Sequence, residues 1–308
     1  AEEIARAHGV WLGVEFVQIN RSMAWLPVDF ARACKTSEAA LAGVARHGMR
    51  DSYQGNRARG QHLFILYFSG AYDEIIRFAE GEIAKRGNTL MTTVVARLLR
   101  ARAYLVRGDV DAAVDDLAEA RALVPAEPRS ALHGLLHMGE MFVRAGRGQF
   151  TEALAGMPEG ERVMRETGAW LIGLSRSSWK LESLEPALAL AAGRQLPPAD
   201  RRQAMARARW LADKGVLDHP CMGDRAVALL EHAAGRPAAA ERALARALTR
   251  SAARSTPHHR WLCLEAARDL GKLTLDLEDE ASELAARHAF VLPPGWRGSA
   301  SARAGGPP

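Results

Sequence analysis

Glycine closes an apolar helical run at residues 70, 108, 148, 193, 235 and 271, at intervals of 38, 40, 45, 42 and 36 residues. On either side of each glycine the apolar side chains return every three or four positions, the spacing of one helix face. Glycine ends helices readily because it adopts the left-handed backbone that the closing turn requires. A helix pair of this size cannot bury its apolar face alone, so each pair must be covered by its neighbours. Period-two alternation of Val, Ile and Thr does not persist anywhere, so strands are not expected. The expected fold is all-α, an α-solenoid of helical hairpins.

The clearest hairpin begins with "VVARLLRARAYLV", residues 94–106, which carries Val94, Leu98, Ala101 and Leu105 down one side. Gly108 and Asp109 stop that helix and open another, expected over residues 110–123. Its buried stripe reads Val110, Ala113, Val114, Leu117, Ala120 and Leu123, and Pro125 closes it because proline cannot extend the hydrogen-bond ladder. Similar pairs turn at Gly70, Gly148 and Gly235, and weaker ones at Gly193 and Gly271. Residues 1–48 read as a capping segment, with a helix around "WLGVEFVQI", a break at Pro27 and a second helix opening near Ser37. Repeats occupy 49–292. The Gly-, Pro-, Ser- and Ala-rich residues 293–308 are expected to form a disordered tail.

Residues 101–125 resemble a tetratricopeptide repeat, through Ala101, Tyr104, Gly108, Val110, Ala113, Leu117, Ala120 and Pro125 at the signature spacing. The resemblance implies that Ala101 and Ala113 are small where two helices cross, and that Ala120 is small where the next hairpin packs. Tyr104 would fill the gap between them. The repeat at Gly70 keeps Tyr72 but has Ile75 in place of the usual alanine, and the one at Gly148 keeps Phe150 and Ala153. The repeat at Gly235 keeps Ala240, Leu244 and Ala247, and places Pro237 early, where its missing N–H costs little. The intervals exceed the roughly 34 residues of the standard motif, so this is a longer, degenerate variety. Such arrays are similar to the C-terminal repeats of bacterial multidomain kinases bearing an AAA-type ATPase, and of LuxR-class ATP-dependent regulators. With Ala1 rather than Met at the start, the chain reads as a fragment or a free-standing adaptor, and any catalytic module of the kind that resemblance implies would lie upstream of Ala1. Within the chain there is no phosphate loop, since Gly271-Lys272 lacks the earlier glycine and the following hydroxyl, and no His-Arg-Asp kinase loop. "LTLDLEDE", residues 273–280, is expected to open a helix.

Several ionisable groups invite a chemical reading. Asp109, Asp111, Asp115, Asp116 and Glu119 crowd one hairpin. Asp109 and Asp111 fall where an acid caps a helix start, and the other three are expected to face water. The stretch lacks the central glycine and terminal glutamate of a calcium loop. His133, His137 and Glu140 share a helix, but a zinc-protease helix has its glutamate directly after the first histidine, where this chain has Gly134. "DHPC" (218–221) and "HHRWLC" (258–263) could pool Cys221, Cys263, His258 and His259, although their spacing fits no zinc pattern. The expectation is no metal, no cofactor and no catalytic residue. Cys34, Cys221 and Cys263 are too few and scattered for a disulfide framework, which points to a reducing cytoplasm. No apolar run is long enough to span a membrane. The net charge is +5, but acids interleave with bases throughout, as on a solvated surface. The most basic stretch, "TRSAARSTPHHR" (249–260), reads as a loop between hairpins rather than a nucleic-acid contact.

In a stack of hairpins the first helices line the inner side. The inward positions are Arg57, Phe64 and Tyr67, then Leu98 and Arg102, then Met138 and Phe142, then Arg225 and Leu229. Aromatic and methionine side chains beside arginines suit a protein or peptide partner with an acidic component. The expected function is a non-catalytic interaction scaffold or sensor region of a bacterial signalling protein. Its alternatives are a nucleic-acid-binding solenoid and, behind that, an enzyme on a helical-repeat frame. Alanine at Arg102 and Phe142 is expected to abolish partner capture while sparing the fold.

Overall fold

The computed structural model describes residues 11–85, 88–127, 130–171 and 173–292. The tail over 293–308 lies outside the described residues. Among those described, every regular element is helical. The early helices are α1 (Trp11–Trp25), α2 (Phe30–Arg46), α3 (Tyr53–Ser69), α4 (Tyr72–Ala84), α5 (Leu90–Val106) and α6 (Val110–Leu123). The third hairpin pairs α7 (Ala131–Gly146) with α8 (Phe150–Ala155) and α9 (Met157–Glu166), followed by a 3-10 turn at Ala169–Leu171. Then come α10 (Gly173–Glu182), α11 (Leu184–Ala192), α12 (Pro198–Lys214), α13 (His219–Ala233), α14 (Pro237–Ala253), α15 (Pro257–Asp269) and α16 (Leu275–His288).

One hydrogen-bond pattern closes every hairpin. The residue after the turn donates its N–H to the carbonyl five residues back, as in a Schellman cap. The pairs are Ala71 to Leu66, Asp109 to Tyr104, Gln149 to Arg144, Gln195 to Leu190, Arg236 to Glu231 and Lys272 to Ala267, all at 2.8–3.0 Å. The residue between is left-handed, with φ from 65° to 80° at Gly70, Gly108, Gly148, Gly235 and Gly271. The fourth turn corrects the sequence reading. Gly193 has φ −75°, and Arg194 takes the left-handed position at φ 57°. An ordinary side chain there costs on the order of 1 kcal/mol, which the closed cap offsets.

Two long helices are interrupted by proline. Pro158 has no N–H to extend the ladder from α8, so Gly156 separates α8 from α9, and Pro186 acts likewise where Ser183 separates α10 from α11. Helices pack on their neighbours in chain order, and first helices also touch the first helix of the next hairpin: α1 on α3, α7 on α10, α11 on α13, and α13 on α15. Small residues permit the crossings, since Ala101, Ala113, Ala120 and Ala247 are all fully buried. One close backbone approach is between α12 and α13. A Cβ on Gly223 would lie 2.7 Å from the Ala208 carbonyl oxygen and closer still to the Ala212 nitrogen.

The chain separates into two compact units, Ala1–Ala103 with Asp115–Pro125, and Tyr104–Val114 with Ala126–Pro308. The division crosses α5 and α6. In the first unit Ile19, Ala40, Val44 and Ala58 form a core, with Leu41 and Met49 packed against it. In the second, Met141, Met157, Met164, Trp170 and Trp179 do so. The second unit also contains a contact outside the nearest-neighbour order of an open stack. Past α16, Val291 donates its N–H to the Val106 carbonyl at 2.9 Å, and its side chain covers Gly108.

Further local expectations are corrected. Helix α2 begins at Phe30, because Asp29 accepts the Arg32 N–H as its cap, while Ser37 lies inside the helix and bonds His62 Nδ1 at 2.9 Å. Asp116 is buried rather than solvated, because Arg97 and Arg100 reach it from α5 at 3.1 and 2.7 Å. Leu123, expected to be buried, is exposed at the end of α6. Of residues 249–260, only 254–256 connect hairpins, and the rest are the last turn of α14 and the first of α15.

Candidate binding clefts on the first helices

Arg57 and Phe64 sit on α3 and line a cleft of about 340 Å³ in the first unit, with Met23 on α1 and Met91 and Val95 on α5. Tyr53, three-quarters exposed, stands at its edge. The walls are mostly apolar, and Gln61 supplies an amide that also bonds the Ile19 carbonyl at 2.5 Å. Arg57 is held in place by Asn20, at 3.1 Å. Tyr67 is half-buried and rests edge-on against Phe68, 5.0 Å between ring centres.

Arg225 and Leu229 line a second cleft, about 360 Å³, in the second unit. The buried Arg225 guanidinium forms its floor with Glu185, at 2.7 Å, and donates from Nε to the Leu262 carbonyl at 3.1 Å. Leu188 and Leu229 form walls, and Arg194, His232 and Asp269 stand at the rim. Partial enclosure pushes the Asp269 carboxyl up, against the pull of Arg225.

The remaining predicted groove residues present little surface. Leu98, Arg102 and Phe142 are buried, and Met138 packs half-buried against the methionine–tryptophan core. Burial makes Arg102 and Phe142 poor positions for testing binding alone, because truncating either removes core contacts.

The histidine and cysteine segments do come together, inside the second unit. Asp218 accepts from His259 Nδ1 at 2.7 Å and from the Thr256 N–H at 2.9 Å. Cys221 donates to the Asp218 carbonyl at 2.9 Å and hydrogen-bonds Cys263, and His219 Nδ1 meets the Ser177 hydroxyl at 2.7 Å. Burial pushes the Asp218 carboxyl up, but the attraction and hydrogen bond of His259 outweigh it and hold the group well below the usual carboxylate range. Burial pulls His259 down, and Asp218 more than compensates, so His259 is raised. His219 shares no carboxylate bond, and burial pulls it down to about 4. Hydroxyl, imidazole and carboxylate thus fall into two separate pairs. Asp218, His219, Cys221, Cys263 and Ser177 each expose less than a tenth of their surface, while His259 is partly exposed. Among the described residues no three His, Cys, Asp or Glu side chains are arranged to hold a metal ion. His133 accepts the Ser130 N–H at 3.0 Å as part of a helix cap, and Asp109 caps α6 by accepting the Ala112 N–H at 3.1 Å.

The signal that pairs these residues is the repeat period. Ser177 and His219 are 42 residues apart, Glu185 and Arg225 are 40, and Asp218 and His259 are 41. Residues one period apart on successive first helices are spatial neighbours, so "DHPC" must face "HHRWLC". Compared with known proteins, the chain matches no protein-family model and no curated protein.

Proposed function

We propose that this chain is a helical-repeat interaction module, in the manner of the tetratricopeptide repeat that residues 101–125 resemble. It grips a polypeptide partner on its first helices. The observation supporting this reading is the pair of clefts formed by first-helix side chains, one at Arg57 and Phe64, the other at Arg225 and Leu229. Exposed Tyr53 and Met91 and half-buried Phe64 give the first cleft apolar anchors, and Arg57 gives it a cation for an acidic residue of the partner. The setting we propose is a bacterial signalling protein whose catalytic module is supplied elsewhere.

A photo-crosslinking residue placed at position 53 should trap a defined polypeptide in cells. The same residue at Leu275, four-fifths exposed on α16, should trap none. Equal trapping at both positions, or none at either, would remove the first helices from the binding reaction.

A further inference from the structure

Three cations stand over two tryptophans in the second unit, and a fourth, Arg207, is linked to them through Glu161. Arg165 ends α9, Arg176 and Lys180 lie on α10, and Arg207 lies on α12. The Arg165 guanidinium is 4.5 Å from the centre of the Trp170 ring, and the Lys180 ammonium is 5.4 Å from it. Lys180 is also 5.2 Å from the Trp210 ring, which Arg176 faces at 5.1 Å. Glu161 lies 2.7 Å from Arg165 and 3.9 Å from Arg207, and Asp200 also attracts Arg207. Among the described residues neither Lys180 nor Arg176 has a carboxylate within ion-pair distance, and Arg176 Nε is sealed from solvent without an acceptor. The rings hold the cations together by their negative faces but accept none of the N–H bonds the cations can make.

Such a group is costly without a counter-ion. Lys180 and Arg207 are half-buried, and burial pulls both down in proton affinity. Glu161 pulls the other way, while Arg207, Arg176 and Arg165 push Lys180 further down. Like charges held together in a partly desolvated place weaken a fold unless something of opposite sign occupies their centre.

We propose that Arg165, Arg176, Lys180 and Arg207 form a binding site for a phosphate group. One further carboxylate would bring a single charge and two oxygens, too little for the two positive charges in excess of Glu161 and Asp200. A phosphate brings nearly two charges and at least three oxygens, which guanidinium forks engage in pairs and an ammonium as a point charge. Both rings already hold cations against them, which favours a compact anion over a single-stranded nucleic acid stacked on them.

Titration of the whole chain with inorganic pyrophosphate, at ionic strength fixed with sodium chloride, tests this by calorimetry and melting temperature. Saturable binding with a rise in melting temperature is expected. Lys180→Met and Arg176→Gln should each weaken binding by at least about tenfold. Both should melt above the unmodified protein when no pyrophosphate is added, because repulsion is relieved. Glu161→Gln, which removes the competing carboxylate, should tighten binding. A phosphoserine peptide distinguishes sources. Affinity equal to pyrophosphate marks a site for free phosphate, and much tighter affinity marks one for phosphate carried on a protein. The assignment is overturned if pyrophosphate does not bind, or binds Lys180→Met and Arg176→Gln unchanged. It is also overturned if a glutamate-rich peptide or a single-stranded oligonucleotide binds tenfold more tightly than either phosphate ligand.

Discussion

Acid should weaken the first unit through one side chain, His62. Its ring is buried on α3, its Nδ1 meets Ser37 Oγ at 2.9 Å, and its edge faces Phe78 with ring centres 4.8 Å apart. Burial pulls its pKa from 6.5 to about 4, and the pull of Glu82 toward the charged form does not make up the difference. The folded pKa is below the unfolded one, so between these values the unfolded chain binds the proton and the folded chain does not. Stability is therefore lost as pH falls from about 6.5, and the loss is complete near pH 4. At about 1.4 kcal/mol per pH unit, this one group removes about 2 kcal/mol by pH 5 and about 3 kcal/mol in full. His62→Gln keeps a partner for Ser37 and removes the titration. Hydrogen exchange of the α3 amides, converted to opening free energies at pH 7.5 and pH 5, should show the native chain losing about 2 kcal/mol more than the variant. Most carboxylates titrate below this window, so they add little to the difference. Equal losses in the two proteins would refute the reasoning.

Other perturbations have equally definite outcomes. Gly223→Ala forces a methyl group into the α12 backbone, and should lower stability by about 3 kcal/mol or more in thermal unfolding. Asp116→Ala removes the shared partner of Arg97 and Arg100 and should cost about 3 kcal/mol; a change near zero would place Asp116 in solvent after all. Phe142→Ala should cost roughly 3–5 kcal/mol by chemical denaturation, because its ring is core, so lost partner capture in that variant would report unfolding.

Much of the fold was legible in residue spacing because glycine turns and small crossing residues are local requirements. Gly70, Gly108, Gly148, Gly235 and Gly271 occupy the left-handed turn position, and Ala101, Ala113, Ala120 and Ala247 are buried at crossings. Arg194 was not legible, because arginine has no preference for the conformation it adopts there. Asp116 was misplaced because a stripe drawn on α6 alone cannot include the two arginines reaching over from α5. Asp29 and Ser37 are both good caps, and only the packing of α2 decides between them. At the clefts, helix periodicity identified Arg57, Phe64, Arg225 and Leu229 as first-helix residues. It could not separate them from Leu98 and Phe142, because an inward face and an inter-hairpin face are only about a third of a turn apart. The tryptophan–cation group was hidden for another reason: Trp170 and Trp210 are 40 residues apart, but Trp170 lies in the 3-10 turn before α10 and Trp210 inside α12, so a period counted along first helices does not pair them.

The bond between Val291 and Val106 limits how this protein can diversify. Open arrays gain and lose units freely, since a duplicated or deleted hairpin only lengthens or shortens the row. Here an inserted or excised unit between Gly108 and Val291 would carry the closing residue past its acceptor, leaving the Val106 carbonyl without its N–H and Gly108 uncovered. A change in the number of helices over that interval is therefore expected to cost the closing contact, which a substitution inside a helix would leave in place.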